Sequence, residues 1–379
     1  MALFDEDVTV VPAPRKPRSR ARVAGLWSLA VALVALVAIS FLPTAYVIQQ
    51  PGPVYDTLGT APDANGKEVP LITVNGATTY PTGGALDLLT VQVRGNPDRT
   101  PSWIELAAAW FDPSMAVLPI DAVFPSGQTT DERNQESAAM MVDSQKEATA
   151  AALAHLGYDV HQHIQVYSLT EGSAAQGILQ KGDVIRTANG QAITTADQLR
   201  TIVSDSAGKP ITLGIERGGA SQTVSVTPKQ TTVDGQTVWL IGVTLINDFD
   251  FPIDVKIQLN NVGGPSAGQM FALGIIDKLT PGQLNGGKHV AGTGTIDASG
   301  QIGPIGGIRQ KMYGALDAGA TYFLAPDSNC DEVVGHVPSG LRVFSVKTLD
   351  DSLAALTAIS SGTGLDKLPT CTAKQSTAQ

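Results

Sequence analysis

The chain has 379 residues, 43% of them hydrophobic and 16% charged, with a formal net charge of −10. That length allows two or three domains, and the acidic balance argues against nucleic acid as a partner. Two cysteines, Cys330 and Cys371, are too few for a disulfide scaffold and lack metal-ligand spacing, so neither metal nor cofactor is expected.

Val23–Leu42 holds twenty residues without a charge. As a helix it would be about 30 Å long, enough to cross a bilayer. Arg15, Lys16, Arg18, Arg20 and Arg22 precede it, and the next basic residue is Lys67. The positive-inside rule makes residues 1–22 a cytoplasmic basic tail and 23–42 the anchor of a single-pass protein of the cell membrane. Everything after Tyr46 is then extracytoplasmic. The run is longer than the apolar region of a cleaved signal peptide, and Pro43-Thr44-Ala45 is a poor cleavage site.

Residues 46–158 read as a mixed extracytoplasmic region closely associated with the unit at residues 237–360. Gln50–Tyr55 is an extended exit from the membrane, and Leu71–Val74 and Leu88–Val93 are strands by their β-branched content. Trp103–Phe111 is a short helix stopped by Asp112-Pro113. A longer helix runs over Thr130–Leu156 with Gly157 as its C-cap. Its Asp131, Glu132, Glu136 and Asp143 are expected on a solvated face.

Residues 159–230 form a second unit. Ile164–Tyr167, Ile211–Glu216 and Gln222–Val226 are strands, Asn189-Gly190 is a hairpin turn, and Thr194 or Thr195 caps a helix to Ser204. With Glu171-Gly172-Ser173-Ala174-Ala175 and Leu179-Gln180-Lys181-Gly182-Asp183-Val184-Ile185, this region resembles a PDZ domain, a β-sandwich with short helices. The resemblance implies peptide capture by strand addition. Gly157-Tyr158-Asp159-Val160 is the nearest candidate for the carboxylate loop. His161 and His163 share a strand face without a third ligand, which favours a surface role over a metal site.

Residues 237–360 alternate strands with helices, the mark of a layered α/β unit, so the whole chain is an α+β multidomain protein. Ile241–Ile246 and Val255–Leu259 open the unit as strands. Helices follow over Ser266–Leu279, Arg309–Ala318 and Leu349–Ala358, and residues 361–379 read as a flexible tail.

The chemistry concentrates at Ser266, after Gly263-Gly264-Pro265, and at Lys311. A serine hydroxyl needs a base, and a lysine buried among apolar groups loses enough basicity to serve. Ser266 is expected to begin its helix, where backbone N–H groups can hold an oxyanion. Gly263 and Gly264 let substrate approach the backbone closely.

Three runs carry a resemblance: Gly263–Gly268, Ala291–Lys311 (AGTGTIDASGQIGPIGGIRQK) and Ala318–Pro326. Together they resemble the proteolytic domain of Lon-type serine proteases. The resemblance implies Ser266 as nucleophile, Lys311 as general base and Thr293 as the residue that positions the lysine. The order of anchor, PDZ and Lon-like unit is similar to that of membrane-anchored Lon-like PDZ proteases of Gram-positive bacteria. That likeness extends to Gln49–Gly59 and Met140–Leu153. It implies extracytoplasmic or membrane-protein substrates, selection or gating by the PDZ domain, and a ring-shaped homo-oligomer, a hexamer. No ATPase module accompanies it. Gly282–His289 has the GxxxxGK spacing but ends in histidine where Mg²⁺ needs a hydroxyl, so it reads as a loop and ATP is not expected as a partner. A non-catalytic membrane scaffold and an enzyme that only processes itself remain open at this level. So does the state of Cys330 and Cys371: a bridge closing 41 residues of chain, or two free thiols.

Overall fold

The uncharged run after Arg22 folds as one helix, α1, over Arg20–Ser40. The computed structural model describes residues 20–40, 42–125, 130–233, 236–260 and 262–372; Arg15, Lys16 and Arg18 and residues 373–379 lie outside these. Side chains are described along α1 for residues 24–35, and all are exposed. That stretch alone is shorter than a bilayer, and among the described residues no helix is long and apolar enough to cross a membrane.

Strands β1 (Tyr46–Asp56), β2 (Thr60–Pro62), β3 (Glu68–Pro70), β4 (Ile72–Asn75) and β5 (Ala85–Arg94) follow. Then come α2 (Trp103–Trp110), β6 (Ala116–Pro119), α3 (Ile120–Val123) and the long α4 (Thr130–His155). Ser102 starts α2 with a reciprocal capping box to Glu105.

The next unit holds β7 (His161–Leu169), β8 (Val184–Ala188), β9 (Gln191–Ala192), α5 (Ala196–Asp205), β10 (Ile211–Arg217) and β11 (Ala220–Val226). Asn189 and Gly190 both take positive φ, as the tight turn between β8 and β9 requires. Thr195 caps α5. A hairpin of β12 (Lys229–Val233) and β13 (Gln236–Leu240) leads to β14 (Val243–Asp250). This last strand pairs antiparallel with β7 and ends the sheet β11-β10-β8-β7-β14. The strand expected to open the Lon-like unit therefore closes the PDZ sheet instead. Its pairing partner lies some 80 residues earlier, beyond the reach of local patterning.

The remaining elements are β15 (Asp254–Ile257), α6 (Gly268–Leu279), β16 (His289–Gly292), β17 (Thr295–Ile296), β18 (Ile302–Gly303), α7 (Ile308–Asp317), β19 (Tyr322–Pro326), α8 (Cys330–Val333), β20 (Arg342–Val346) and α9 (Leu349–Ser361). They complete a six-stranded sheet of order β20-β19-β16-β5-β1-β6. β16 pairs parallel with β5, and β5 antiparallel with β1. Residues 46–119 thus supply three strands of the sheet on which the catalytic unit is built.

α6 is buried along almost its whole length, packed with Met141, Ala148, Ala151 and Ala152 of α4 and Ala355, Leu356 and Ile359 of α9. This explains its apolar residues on all sides: a helix enclosed by neighbours needs no polar face. The chain after α9 is tied to the body at several points as far as Cys371, and residues 373–379 lie outside the described residues. Ser345 N donates to Pro369 O at 2.9 Å, Leu365 and Leu368 pack on the core, and Cys371 is disulfide-bonded to Cys330.

Candidate active site

Two glycine-rich turns deliver the site. Gly264 holds φ at +83°, which turns the chain into Pro265 and Ser266. Its N–H donates to Ser137 O of α4 at 2.9 Å, and Ser144 Oγ donates to Pro265 O at 2.9 Å. A Cβ on Gly263 would lie 2.8 Å from Ser137 Cβ, so the loop lies flush on α4. Ser266 does not start the helix as expected; α6 begins two residues later at Gly268. The serine's carbonyl is held from two sides, by Gly294 N at 3.0 Å and Thr293 Oγ1 at 3.0 Å.

The second turn ends at Gly307, left-handed at φ 70°, immediately before α7. A Cβ there would meet Val91 Cγ1 at 2.7 Å. The helix then carries Lys311 inward to 1% exposure. Lys311 Nζ lies 2.7 Å from Ser266 Oγ and 2.9 Å from Thr293 Oγ1. Burial lowers its pKa to about 7, because an ammonium without water or a counter-charge is costly.

The hydrogen-bond pattern fixes the proton roles. Thr293 O–H donates to the Ser266 carbonyl, which can only accept. Thr293 Oγ1 therefore accepts from Lys311. A neutral amine that donates to Thr293 can turn its lone pair to the Ser266 hydroxyl. Ser266, Lys311 and Thr293 thus converge, with Gly263, Gly264 and Pro265 setting the loop. The Gly264 amide, already bonded to α4, is not free to hold an oxyanion in this arrangement.

A cleft of about 480 Å³ opens beside the dyad, lined by Tyr55, Leu88, Leu89, Val91 and Met141 with Gln49 and Gln92. Half of the cleft's lining comes from β1 and β5. The sequence pointed to no site chemistry there, since these apolar residues read as ordinary strand.

Gly157, Tyr158, Asp159 and Val160 form the connection from α4 to β7 and line no described cleft with α5. A cavity of about 590 Å³ runs between α5 (Ala196, Leu199, Val203) and the stretch Leu240–Ile246, with Ala139 and Met140 of α4 at its side. Leu240-Ile241-Gly242-Val243 has the apolar-glycine-apolar pattern expected of a carboxylate loop ahead of a strand, and Gly242 takes φ +71°. The pattern was legible; its assignment to the neighbouring unit hid it.

A polar seam joins α4 to the PDZ sheet. Asn247 N donates to Asp143 Oδ1 at 2.6 Å, Asn247 Nδ2 donates to Glu147, and Lys146 pairs with Asp248 at 2.7 Å. Asp143 is therefore not on a solvated face, and burial raises its pKa. Burial, and then Asp143, raise Glu147 to about 7. Burial acts on Asp248 too, but hydrogen bonds from His163 and Lys146 outweigh it and hold that group at about 2. His163 is buried at 3.3 Å from Asp248, not at the surface; His161 is exposed. Among the described residues no group of side chains could hold a metal ion.

The GxxxxGK stretch, Gly282–His289, is a largely exposed connection from α6 into the start of β16. Asn285 is buried at its centre and donates to Lys288 O at 2.9 Å and Ala85 O at 3.3 Å.

Residues 252–358 match the Lon protease (S16) C-terminal proteolytic domain, and residues 140–227 match the PDZ domain. The chain therefore carries a Lon-type proteolytic domain and a PDZ domain. Among its relatives, the Lon protease of Geobacter metallireducens is 33% identical over 112 residues, 29% of this chain and 13% of that protein. Lon protease 2 of Herpetosiphon aurantiacus is 38% identical over 108 residues, 27% of this chain and 13% of that protein. The chain thus spans about an eighth of the length of these relatives. Among solved structures, the PDZ domain of an SdrC-like protein from Listeria monocytogenes is 20% identical, covering 22% of this chain and 85% of that one, with a TM-score of 0.20.

Proposed function

We propose that this chain is a membrane-anchored serine endopeptidase that works without ATP. The observation that carries the reading is a lysine at 1% exposure, with a pKa of about 7, whose Nζ lies 2.7 Å from Ser266 Oγ. In its neutral form Lys311 takes the Ser266 proton as Oγ attacks the scissile carbonyl. Lys311 then protonates the leaving amine, and an acyl-enzyme remains on Ser266. Water, deprotonated by the same lysine, releases the acid. Thr293 keeps the amine aimed along this path. The apolar cleft beside Tyr55 and Met141 receives the substrate chain in an extended form.

Independence from ATP is supported by the GxxxxGK stretch, which ends in His289 where Mg²⁺ needs a hydroxyl and whose Gly286, Gly287 and Lys288 amides donate to Gln283 and Asn285 of the same loop. The anchor is supported by the uncharged run of twenty residues after five basic ones, which is helical as far as Ser40 and whose described side chains, residues 24–35, are all exposed. For the PDZ groove we infer capture of extended or C-terminal peptide segments. β14 ends its sheet and faces the groove, which suits strand addition. α4 touches that groove through Ala139 and Met140, and the catalytic loop through Ser137 and Ser144. Peptide in the groove would therefore bear on the loop that carries Ser266.

The test is cleavage of casein by the full chain in lipid nanodiscs without nucleotide, beside Ser266→Ala and Lys311→Met. Wild type should cut, and both variants should lose at least about a thousandfold in rate. Cleavage that survives Ser266→Ala, or that needs ATP, overturns the reading.

A further inference from the structure

α2 is apolar nearly all round. Leu106 and Ala109 face inward onto Ile48 of β1. The other faces carry Ile104 at 59% exposure, Trp110 at 62% and, one residue past the helix, Phe111 at 89%. Trp103 is 36% exposed on the same side. Glu105 is the one charged residue in the helix, and its carboxylate caps the helix start at Ser102 N and reaches toward Arg94. Asp112, next in the chain, is occupied by Ser114, whose N–H and O–H both donate to it. A water-facing helix would place charge on this surface, and soluble proteins rarely leave such a contiguous apolar patch.

The position of α2 is tied to α1. Thr44, buried to 7% exposure, donates through Oγ1 to Pro101 O at 2.8 Å, and its N–H donates to Thr100 Oγ1 at 3.1 Å. α2 begins two residues later, at Trp103. Only three residues lie between Thr44 and the end of α1 at Ser40, so Thr44, to which the chain just before α2 is bonded, is held within roughly 14 Å of the point where α1 ends. α1 and α2 also contact each other directly.

We propose that α2 lies in the outer interface of the bilayer, with Ile104, Trp110 and Phe111 among the lipid headgroups and upper acyl chains. The inference rests on the anchor reading above. Given that reading, the short tether leaves this patch at interfacial depth. Trp and Phe beside aliphatic side chains are the residues that partition there. The extracytoplasmic domain is then seated on the membrane at two points and does not swing on its linker.

Tryptophan fluorescence of the full chain in phosphatidylcholine vesicles tests this. The chain has four tryptophans, Trp27 in α1, Trp103 and Trp110 at the patch, and Trp239 in the PDZ hairpin. W27F/W239F reports on the patch, W103F/W110F/W239F on the anchor, and W27F/W103F/W110F on a site expected in water. Phosphatidylcholine brominated near its carbonyl end should quench the patch and leave Trp239 bright; bromine near the chain terminus should quench the patch less. I104S/F111S, both exposed positions, should lose patch quenching while still cutting casein. Quenching of Trp27 without quenching of the patch overturns the inference and leaves the anchor standing. A patch that is unquenched but blue-shifted with rising protein concentration also overturns it, in favour of a second copy of the chain. If Trp27 itself is not quenched, the anchor reading falls and this inference falls with it.

Discussion

The catalytic centre and the α4 seam are both buried, yet burial leaves them in opposite electrical states. At the centre, Lys311 meets only hydroxyl groups, and burial alone brings it down to about 7. At the seam, Asp248 keeps its charge because Lys146 and His163 supply hydrogen bonds, while Glu147 has Asp143 for a neighbour and rises to about 7. Burial sets the penalty for a charge; the partners decide whether the charge is kept. In the proposed function one region uses that penalty for chemistry, while the other places a group that titrates near neutrality between α4 and the PDZ sheet.

The contrast can be broken first at Thr293. Thr293→Val keeps the shape but removes the acceptor that aims Lys311. Loss of one such hydrogen bond, about 1.5–3 kcal/mol, should lower kcat about 10- to 100-fold, and steady-state kinetics on a fluorogenic peptide would show it. An unchanged rate would mean that packing alone positions the amine.

The disulfide comes next. Cys371→Ser opens the loop that Cys330 and Cys371 close over 41 residues. It should cost about 2–4 kcal/mol, read as a lower denaturation midpoint that wild type matches only under reducing conditions.

The pH dependence sharpens the comparison. Activity should rise through about pH 7 as Lys311 loses its proton. Stability has two limbs of opposite sign. A lysine with a lowered folded pKa binds fewer protons folded than unfolded, so its contribution rises with pH between about 7 and the ordinary lysine value of 10.5. A glutamate with a raised folded pKa does the reverse, and its contribution falls between 4.5 and about 7. Glu147→Gln should flatten that lower limb and raise the melting temperature above pH 7, while leaving the activity midpoint in place. A shift of the activity midpoint in this variant would show that the two regions are electrically coupled.

The smallest effect is expected at the groove. A peptide with an apolar C-terminal residue should bind more tightly than its amidated form, and Met140→Lys, at an exposed position on the groove wall, should weaken it about tenfold. Isothermal calorimetry that finds no preference for the free carboxylate would favour internal segments over C-termini.

What could be read from the sequence follows from how local each signal is. Gly264, Pro265 and Ser266 are adjacent, and Gly306 and Gly307 stand just before Lys311, so both catalytic turns carry their chemistry in consecutive residues. Thr195 as a cap and Asn189-Gly190 as a turn were legible for the same reason. Ile241–Ile246 was assigned to the neighbouring unit because its strand pairs across the whole PDZ unit, Val243 opposite Leu169. Asp143 and His163 were misread because their burial comes from elements far away in the chain. Periodicity along α4 cannot show that its acidic side meets another sheet.

The sharing of one sheet by residues 46–119 and 289–346 also sets an order in time. During synthesis β1, β5 and β6 emerge early and have no partner on the β16 side until β16 appears, some two hundred residues later. The PDZ unit, made in between, can close its own sheet as soon as β14 is out. Until the C-terminal strands arrive, β5 offers an unpaired edge rich in leucine and valine beside a growing chain. Nascent molecules should therefore be most vulnerable to mispairing with one another late in translation, when the PDZ unit is already complete.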